Sequence, residues 1–185
     1  MSRILHSLGQ AARCLNGGGI LAYPTEAVYG VGCLPAFYGS VERIRRIKQR
    51  HPQQGLILVT DKPERLAEYI FPLTASQKAR IRKQRVRPVT WLVPARPECP
   101  EALRGHSTHL AVRVSDHPVV RRLCELTGSA LVSTSANRRG HPPAMSAIQA
   151  MQRIGGNVDC ILDAPLGQAR TVSEIRHLET GQRFR

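Results

Sequence analysis

Residues 20–33 read Ile20-Leu21-Ala22-Tyr23-Pro24-Thr25-Glu26-Ala27-Val28-Tyr29-Gly30-Val31-Gly32-Cys33. The stretch opens on a short apolar run, Ile20 to Tyr23, preceded by glycines and closed by a proline. Such a run is too brief for a helix and reads as a buried strand. The spacing predicts a glycine-containing loop over 24–33, in which a hydroxyl and a carboxylate follow the strand at once. Polar loops directly after buried strands are where α/β proteins place ligands.

Outward from this point the same alternation recurs. Residues 56–59, 89–93, 110–114 and 130–133 read as strands, and 134–143 as a loop. Apolar spacing at Ile4, Leu5, Leu8, Ala11, Ala12 and Leu15 predicts a helix over 4–15, ended by Asn16-Gly17-Gly18-Gly19. Ser40 is placed to cap a helix running to about Lys48, and Pro63 to open one through Tyr69. Thr74 with Gln77 forms a capping-box pattern for a basic helix, and Ser146 with Gln149 forms a second, with Gly155-Gly156 ending that helix. Asp116 is placed to cap a helix through Leu126 that Gly128 closes. Short strands are expected at 160–162, 171–178 and 183–185, with a turn at Glu179-Thr180-Gly181. Strands and helices alternating through short connections make an α/β fold with a mixed sheet, as a single domain over 1–185.

The composition narrows the function. The 185 residues are 42% hydrophobic, enough for a core, but only 4% aromatic. Few aromatics disfavour an RNA binder that stacks splayed bases on side-chain rings. Five widely spaced cysteines with no CxxC pair fit neither a zinc site nor a disulfide framework, and read as reduced, mostly buried thiols. No apolar stretch is long enough to span a bilayer, and the N-terminus lacks a signal-like apolar region, so a cytoplasmic protein without membrane contact is expected. Lys plus Arg number 27 against 13 Asp plus Glu, a formal net charge of +14, and almost all the cations are arginine. Two clusters stand out: Arg43, Arg45, Arg46, Lys48 and Arg50, then Lys78, Arg80, Arg82, Lys83, Arg85 and Arg87. They read either as solvated surface or as a footprint for a polyanion.

Three polar segments flank buried strands: Tyr23 to Gly32, Lys48-Gln49-Arg50, and Ser133-Thr134-Ser135-Ala136-Asn137. Each has a plain structural reading. Gly30 and Gly32 shape a turn, Lys48 and Arg50 favour the negative end of a helix, and Ser and Asn cap their own backbone. The chain has no Walker loop, GxSxG elbow, HExxH or kinase signature. What remains is cations, hydroxyls and an amide, a set that binds phosphates and carboxylates without a covalent intermediate.

Taken in order, these segments resemble the YrdC/TsaC family of threonylcarbamoyl-AMP synthases. The resemblance runs through AYPTEAVYGVGC at 22–33, K-x-R at Lys48 and Arg50, GLIL at 55–58 and PVT at 88–90. It continues with LAVRVSDHP at 110–118, LVSTSAN at 131–137, Ser173-Glu174-Ile175-Arg176, Thr180-Gly181 and Phe184-Arg185. The sequence departs from the family pattern at His51-Pro52, Gln54, Leu34, Arg85-Val86-Arg87 and Arg139-Gly140.

The resemblance implies a twisted, mostly open mixed sheet with flanking helices and a large concave surface, in the short single-domain branch. It implies a nucleotidyltransferase that joins L-threonine and bicarbonate or CO2 as a carbamate and adenylates it with ATP, releasing pyrophosphate, with Mg2+ accompanying the nucleotide and no metal held by the protein itself. A tRNA threonylcarbamoyl-transferase complex then moves the product to the adenosine next to the anticodon. By the same resemblance Lys48 and Arg50 serve the phosphates and catalysis, and Ser135, Asn137 and Arg185 bind ATP. Thr25, Arg113, Ser133 and Ser173 hold threonine. Arg113 lies in an apolar strand where a charge needs a partner, and the plain alternative is a structural ion pair with Asp116. Two rivals follow from the sequence. One is a non-catalytic protein that binds tRNA or double-stranded RNA, such as a ribosome-maturation factor. The other is the carbamoyl-adenylate module of hydrogenase maturation, whose longer chain and Cys-rich zinc motifs are absent here.

Overall fold

The chain begins with strand β1 (Arg3–Leu5), helix α1 (Leu8–Asn16) and a hairpin of β2 (Leu21–Pro24) and β3 (Tyr29–Gly32). Next come α2 (Tyr38–Ile47), β4 (Ile57–Thr60), a 3-10 turn (Pro63–Leu66), α3 (Ala75–Arg82), β5 (Val89–Pro94) and the short α4 (Glu101–Arg104). The rest is β6 (His109–Val114), α5 (Pro118–Thr127), β7 (Leu131–Ser135), α6 (Ala147–Ile154), a 3-10 turn (Gly155–Asn157), β8 (Cys160–Leu162) and β9 (Glu174–His177). This computed structural model describes residues 2–83, 87–169, 171 and 173–184. The expectations placed on Arg85, Val86 and Arg185 lie outside them.

Among the described residues the strands form one mixed sheet in the order β1-β8-β2-β3-β7-β4-β6-β5-β9. Strand β7 is central and antiparallel to both neighbours, β3 and β4, while β4 runs parallel to β6. Strands buried on both faces carry apolar residues at nearly every position, which is why β2 and β4 read as apolar runs. One face is covered by α1 and α5 over Leu15, Leu21, Tyr23, Val59, Leu123 and Leu131. The other carries Val31, Ile44, Leu58, Trp91, Val112 and Val132 beneath α2, α3, α4 and α6. Fully burying such side chains contributes about 1.5–3 kcal/mol each. The cysteines are free; four are buried and Cys14 is partly exposed.

The structure corrects several boundaries. The expected loop over 24–33 is half strand, because Tyr29–Gly32 pairs back on Leu21–Pro24. Its glycines serve proximity, since a Cβ on Gly32 would lie 2.0 Å from the Val132 carbonyl oxygen. The expected helix over 4–15 yields its start to β1, which pairs with β8 in parallel, Ile4 opposite Ile161. Ser40 lies inside α2, and its hydroxyl donates to the Gly18 carbonyl instead of capping. Asp116 gives way to His117 at the N-cap of α5, because Pro118 takes the first helical position. The helix expected from Pro63 is a single 3-10 turn. Thr74 and Gln77 do form the full capping box, and Gly128 closes α5 at φ 69°.

Several cations of the two basic clusters are engaged by protein groups, though among the described residues only Arg45 and Lys48 are buried. Arg45 is buried and donates to the carbonyls of Gln54, Ala102, His51 and Pro52. Arg43 pairs with Asp159 at 3.1 Å. Helix α3 ends at Arg82, so Arg87 does not share its faces. Within it, Arg82 and Lys78 both meet Glu64, and Arg80 lies over the Trp91 ring while donating to the Leu178 carbonyl.

Candidate active site

The hairpin loop 25–28 folds back toward the sheet and is fixed by its own residues. The Thr25 amide and hydroxyl both donate to the Val28 carbonyl, at 3.1 and 2.8 Å. A later segment straps it from outside, the Gly167 amide donating to Thr25 O and the Ala169 amide to Glu26 O, each at 3.0 Å. Beneath the loop Gly30 keeps a gap open: a Cβ there would lie 3.2 Å from Thr25 Cγ2 and 3.3 Å from Ser133 Oγ.

The gap belongs to a cavity of ≈150 Å³ whose lining includes Thr25, Arg50, Arg113, Ser133, Ser135 and Ser173. Six of the nine residues singled out from the sequence therefore meet on one surface, drawn from the β2–β3 loop, the end of α2, β6, β7 and the approach to β9. At roughly 30 Å³ per water the volume equals about five waters, room for a small polar metabolite and less than the 300–1,000 Å³ of a drug-sized pocket. Ile57, Pro88 and Val28 supply its apolar wall. Ser173 is buried, its hydroxyl 2.9 Å from that of Thr90.

Arg50 reaches this cavity because α2 ends abruptly. The Arg50 amide donates to Arg45 O and the Gln49 amide to Arg46 O, a Schellman closure with Gln49 at φ 46° in place of the usual glycine. The left-handed residue turns the chain, and the Arg50 guanidinium then donates to the Gly55 carbonyl at the entry to β4.

Lys48 and Asn137 do not line the cavity; they brace its rim. The Lys48 ammonium is buried and donates to Ser135 O at 2.8 Å, Asn137 O at 2.7 Å and Asn137 Oδ1 at 2.6 Å. Asn137 Oδ1 also accepts from the Ser135 hydroxyl, and its Nδ2 donates to His141 O, which fixes the amide orientation. Three ammonium protons meet three close oxygens, so Lys48 ties the end of α2 to the loop after β7. Burial, with the neighbouring Arg50 charge, holds the ammonium down to about 8.

Arg113 is largely buried at the end of β6, and its protein partner is Glu26, not the Asp116 of the plain alternative, with Nη2 3.3 Å from Glu26 Oε2. The contact is an ion pair without hydrogen-bond alignment, and Glu26 Oε2 and Arg113 Nε have no hydrogen-bond partner. Glu26 stands in the quoted stretch, but its role was not legible there; the one signal was a carboxylate in a loop next to a buried strand. Among the described residues no group of three or more His, Cys, Asp or Glu side chains could hold a metal ion, and no helix is long and apolar enough to cross a membrane.

The profile of the Sua5/YciO/YrdC family, described as telomere recombination, matches residues 13–184. The threonylcarbamoyl-AMP synthase of Nitrosococcus oceani is 47% identical over 175 residues, 95% of each chain. That of Chromohalobacter salexigens is 44% identical over 185 residues, the whole of both chains. The crystal structure of P. abyssi Sua5 complexed with L-threonine shares the fold with a TM-score of 0.86 at 24% identity, over 99% of this chain and 56% of that one. This chain thus spans about half the length of that protein.

Proposed function

Because the chain belongs to the Sua5/YciO/YrdC family, we propose that it is a threonylcarbamoyl-AMP synthase, an enzyme of tRNA modification. The observation that carries this reading is the convergence of Thr25, Arg50, Arg113, Ser133, Ser135 and Ser173 on one small cavity.

The reaction needs little covalent help from the protein. Bicarbonate gives up hydroxide to form CO2; the threonine ammonium loses two protons, one to that hydroxide as water and one to solvent, as its nitrogen bonds to the CO2 carbon. A carbamate oxygen then attacks the α-phosphorus of ATP, the bond from that phosphorus to the β-bridging oxygen breaks, and pyrophosphate leaves. Arg113 presents a guanidinium to the amino-acid carboxylate, the pairing its planar fork suits best. Thr25, Ser133 and Ser173 supply hydroxyls around the same small volume. A nucleotide exceeds that volume, so ATP lies across the rim, on the turn of Arg50 and the loop of Ser135 and Asn137. Arg50 stands between rim and cavity, where negative charge grows on the α-phosphate. Lys48 acts by holding the rim in shape, and Arg185 in this reading adds a further contact to ATP. Mg2+ accompanying the triphosphate would neutralise part of its charge, and in this reading no side chain of the protein is assigned to hold it. Rate enhancement then comes from positioning and fixed charge. The enzyme works in the cytoplasm, and a tRNA threonylcarbamoyl-transferase complex consumes the product.

Replacing Arg113 tests the carboxylate assignment. Arg113→Ala is expected to raise the KM for threonine at least tenfold while the KM for ATP changes less than threefold, consistent with a lost contact of about 1.5–3 kcal/mol. Equal changes in both constants would make Arg113 a structural residue.

A further inference from the structure

We propose that Glu26 is the positioning residue for threonine recognition: its carboxylate sets the Arg113 guanidinium in the orientation that receives the amino-acid carboxylate. The proposal rests on the synthase reading above and adds a residue that reading leaves without a role.

Glu26 is held from several directions. Its Oε1 accepts from the Ser115 hydroxyl at 2.5 Å, and that hydroxyl oxygen accepts in turn from the His117 amide at 3.2 Å. The hydroxyl proton therefore points at Glu26. The backbone is pinned by the Ala169 amide, and a Cβ on Gly167 would lie 2.8 Å from Glu26 Cα, so the strap fits this loop only with glycine there. The remaining oxygen, Oε2, is buried, lacks a hydrogen bond and stands 3.3 Å from Arg113 Nη2. A buried carboxylate without water is tolerated only beside a compensating charge. Burial pushes the Glu26 carboxyl up, but Arg113 and the Ser115 hydroxyl outweigh it and bring it below the usual range, so the group stays ionised at neutral pH.

Arg113 gains orientation from this arrangement. Glu26 takes one end of the guanidinium through charge alone and uses up no aligned donor, so the fork keeps its hydrogen bonds for a ligand. Together the pair is neutral. A zwitterionic amino acid then enters without adding net charge to a buried site, whereas an unpaired Arg113 would have to be desolvated alone.

Glu26→Gln replaces the carboxylate with a neutral isostere and so removes the compensating charge beside the guanidinium. The expected result is a KM for threonine raised about tenfold or more, a KM for ATP within twofold of wild type, and a smaller fall in kcat at saturating threonine. Glu26→Asp, which keeps the charge on a shorter arm, should fall between Gln and wild type. Ser115→Ala, which removes only the bond to Oε1, should raise the threonine KM about threefold and serves where Glu26→Gln does not fold. An unchanged threonine KM, or equal rises for threonine and ATP, would overturn the proposal. A lowered threonine KM would also overturn it, because Glu26 would then compete with substrate for Arg113. Wild-type enzyme in the same assay separates the two levels. Pyrophosphate release by wild type without need of threonine overturns the synthase reading and this proposal with it; normal wild-type behaviour with unchanged variants overturns the positioning role alone.

Discussion

Arg50 and Lys48 sit two positions apart and do different work. The buried Lys48 ammonium is surrounded by Ser135 and Asn137 oxygens, whereas Arg50 lines the cavity itself. Loss of a preorganised charge at a developing anion typically costs about 3 kcal/mol, roughly a hundredfold in rate. Arg50→Ala is expected to lose that much turnover while remaining folded, and Arg50→Lys to recover little, because a point charge replaces a fork. A folded Arg50→Ala protein with near-normal turnover would reduce Arg50 to a helix-end charge. At this scale the sequence was informative about residue type: cations, hydroxyls and an amide beside buried strands pointed to phosphate and carboxylate ligands. It did not distinguish the residue that lines the cavity from the one that braces it. That distinction depends on contacts across 87 residues of chain, between Lys48 and Ser135. The protein partner of Arg113, had it one, was open for the same reason. Asp116 is near in sequence, but Glu26 is near in space.

Elements place these side chains through two glycines and one residue that is not glycine. Gly30 and Gly32 share β3 but answer to different neighbours. A Cβ on Gly32 would strike the Val132 carbonyl, part of a central strand that cannot retreat, whereas one on Gly30 would meet the Thr25 and Ser133 side chains at the cavity. Gly32→Ala should destabilise the fold by at least about 3 kcal/mol. Gly30→Ala should leave thermal stability nearly unchanged and weaken threonine binding about tenfold, or roughly 1.4 kcal/mol. Unfolding midpoints and threonine KM values read both, and equal stability of the two variants would contradict this division of labour. Gln49 is the third case. An L-residue held left-handed costs roughly 1–2 kcal/mol, part of which glycine returns as unfolded-state entropy. Gln49→Gly is therefore expected to stabilise the protein by about 0.5–1 kcal/mol in denaturant unfolding with activity retained; destabilisation would show that the Gln49 side chain matters more than its backbone. The buried strands were legible because apolar runs bounded by Gly and Pro admit few alternatives. Strand β3 was not, since Tyr-Gly-Val-Gly carries turn residues whose purpose is close strand packing. Nor was β1, whose Ile4 and Leu5 also fit the helical spacing of the residues after them.

On the scale of the whole molecule, α/β alternation predicts the class but not the order of strands. The placement of β7 at the centre, between β3 and β4, is set by long-range pairing that no local pattern encodes. The formal charge of +14 likewise says little until the arginines are located. Arg43, Arg45, Arg80 and Arg82 all bind protein groups, but of these only Arg45 is buried, so the arginines of α3 still face solvent. What the sheet does bring together is one cavity whose six candidate polar residues come from five segments of the chain, with a rim shaped by Lys48 and Asn137. On the proposed function this surface joins threonine, bicarbonate and ATP in one reaction. The direct measurement is pyrophosphate release by purified protein with ATP and Mg2+, with threonine and bicarbonate each supplied or withheld. Release is expected only when both are present, in step with formation of threonylcarbamoyl-AMP. Equal release with threonine withheld would contradict it.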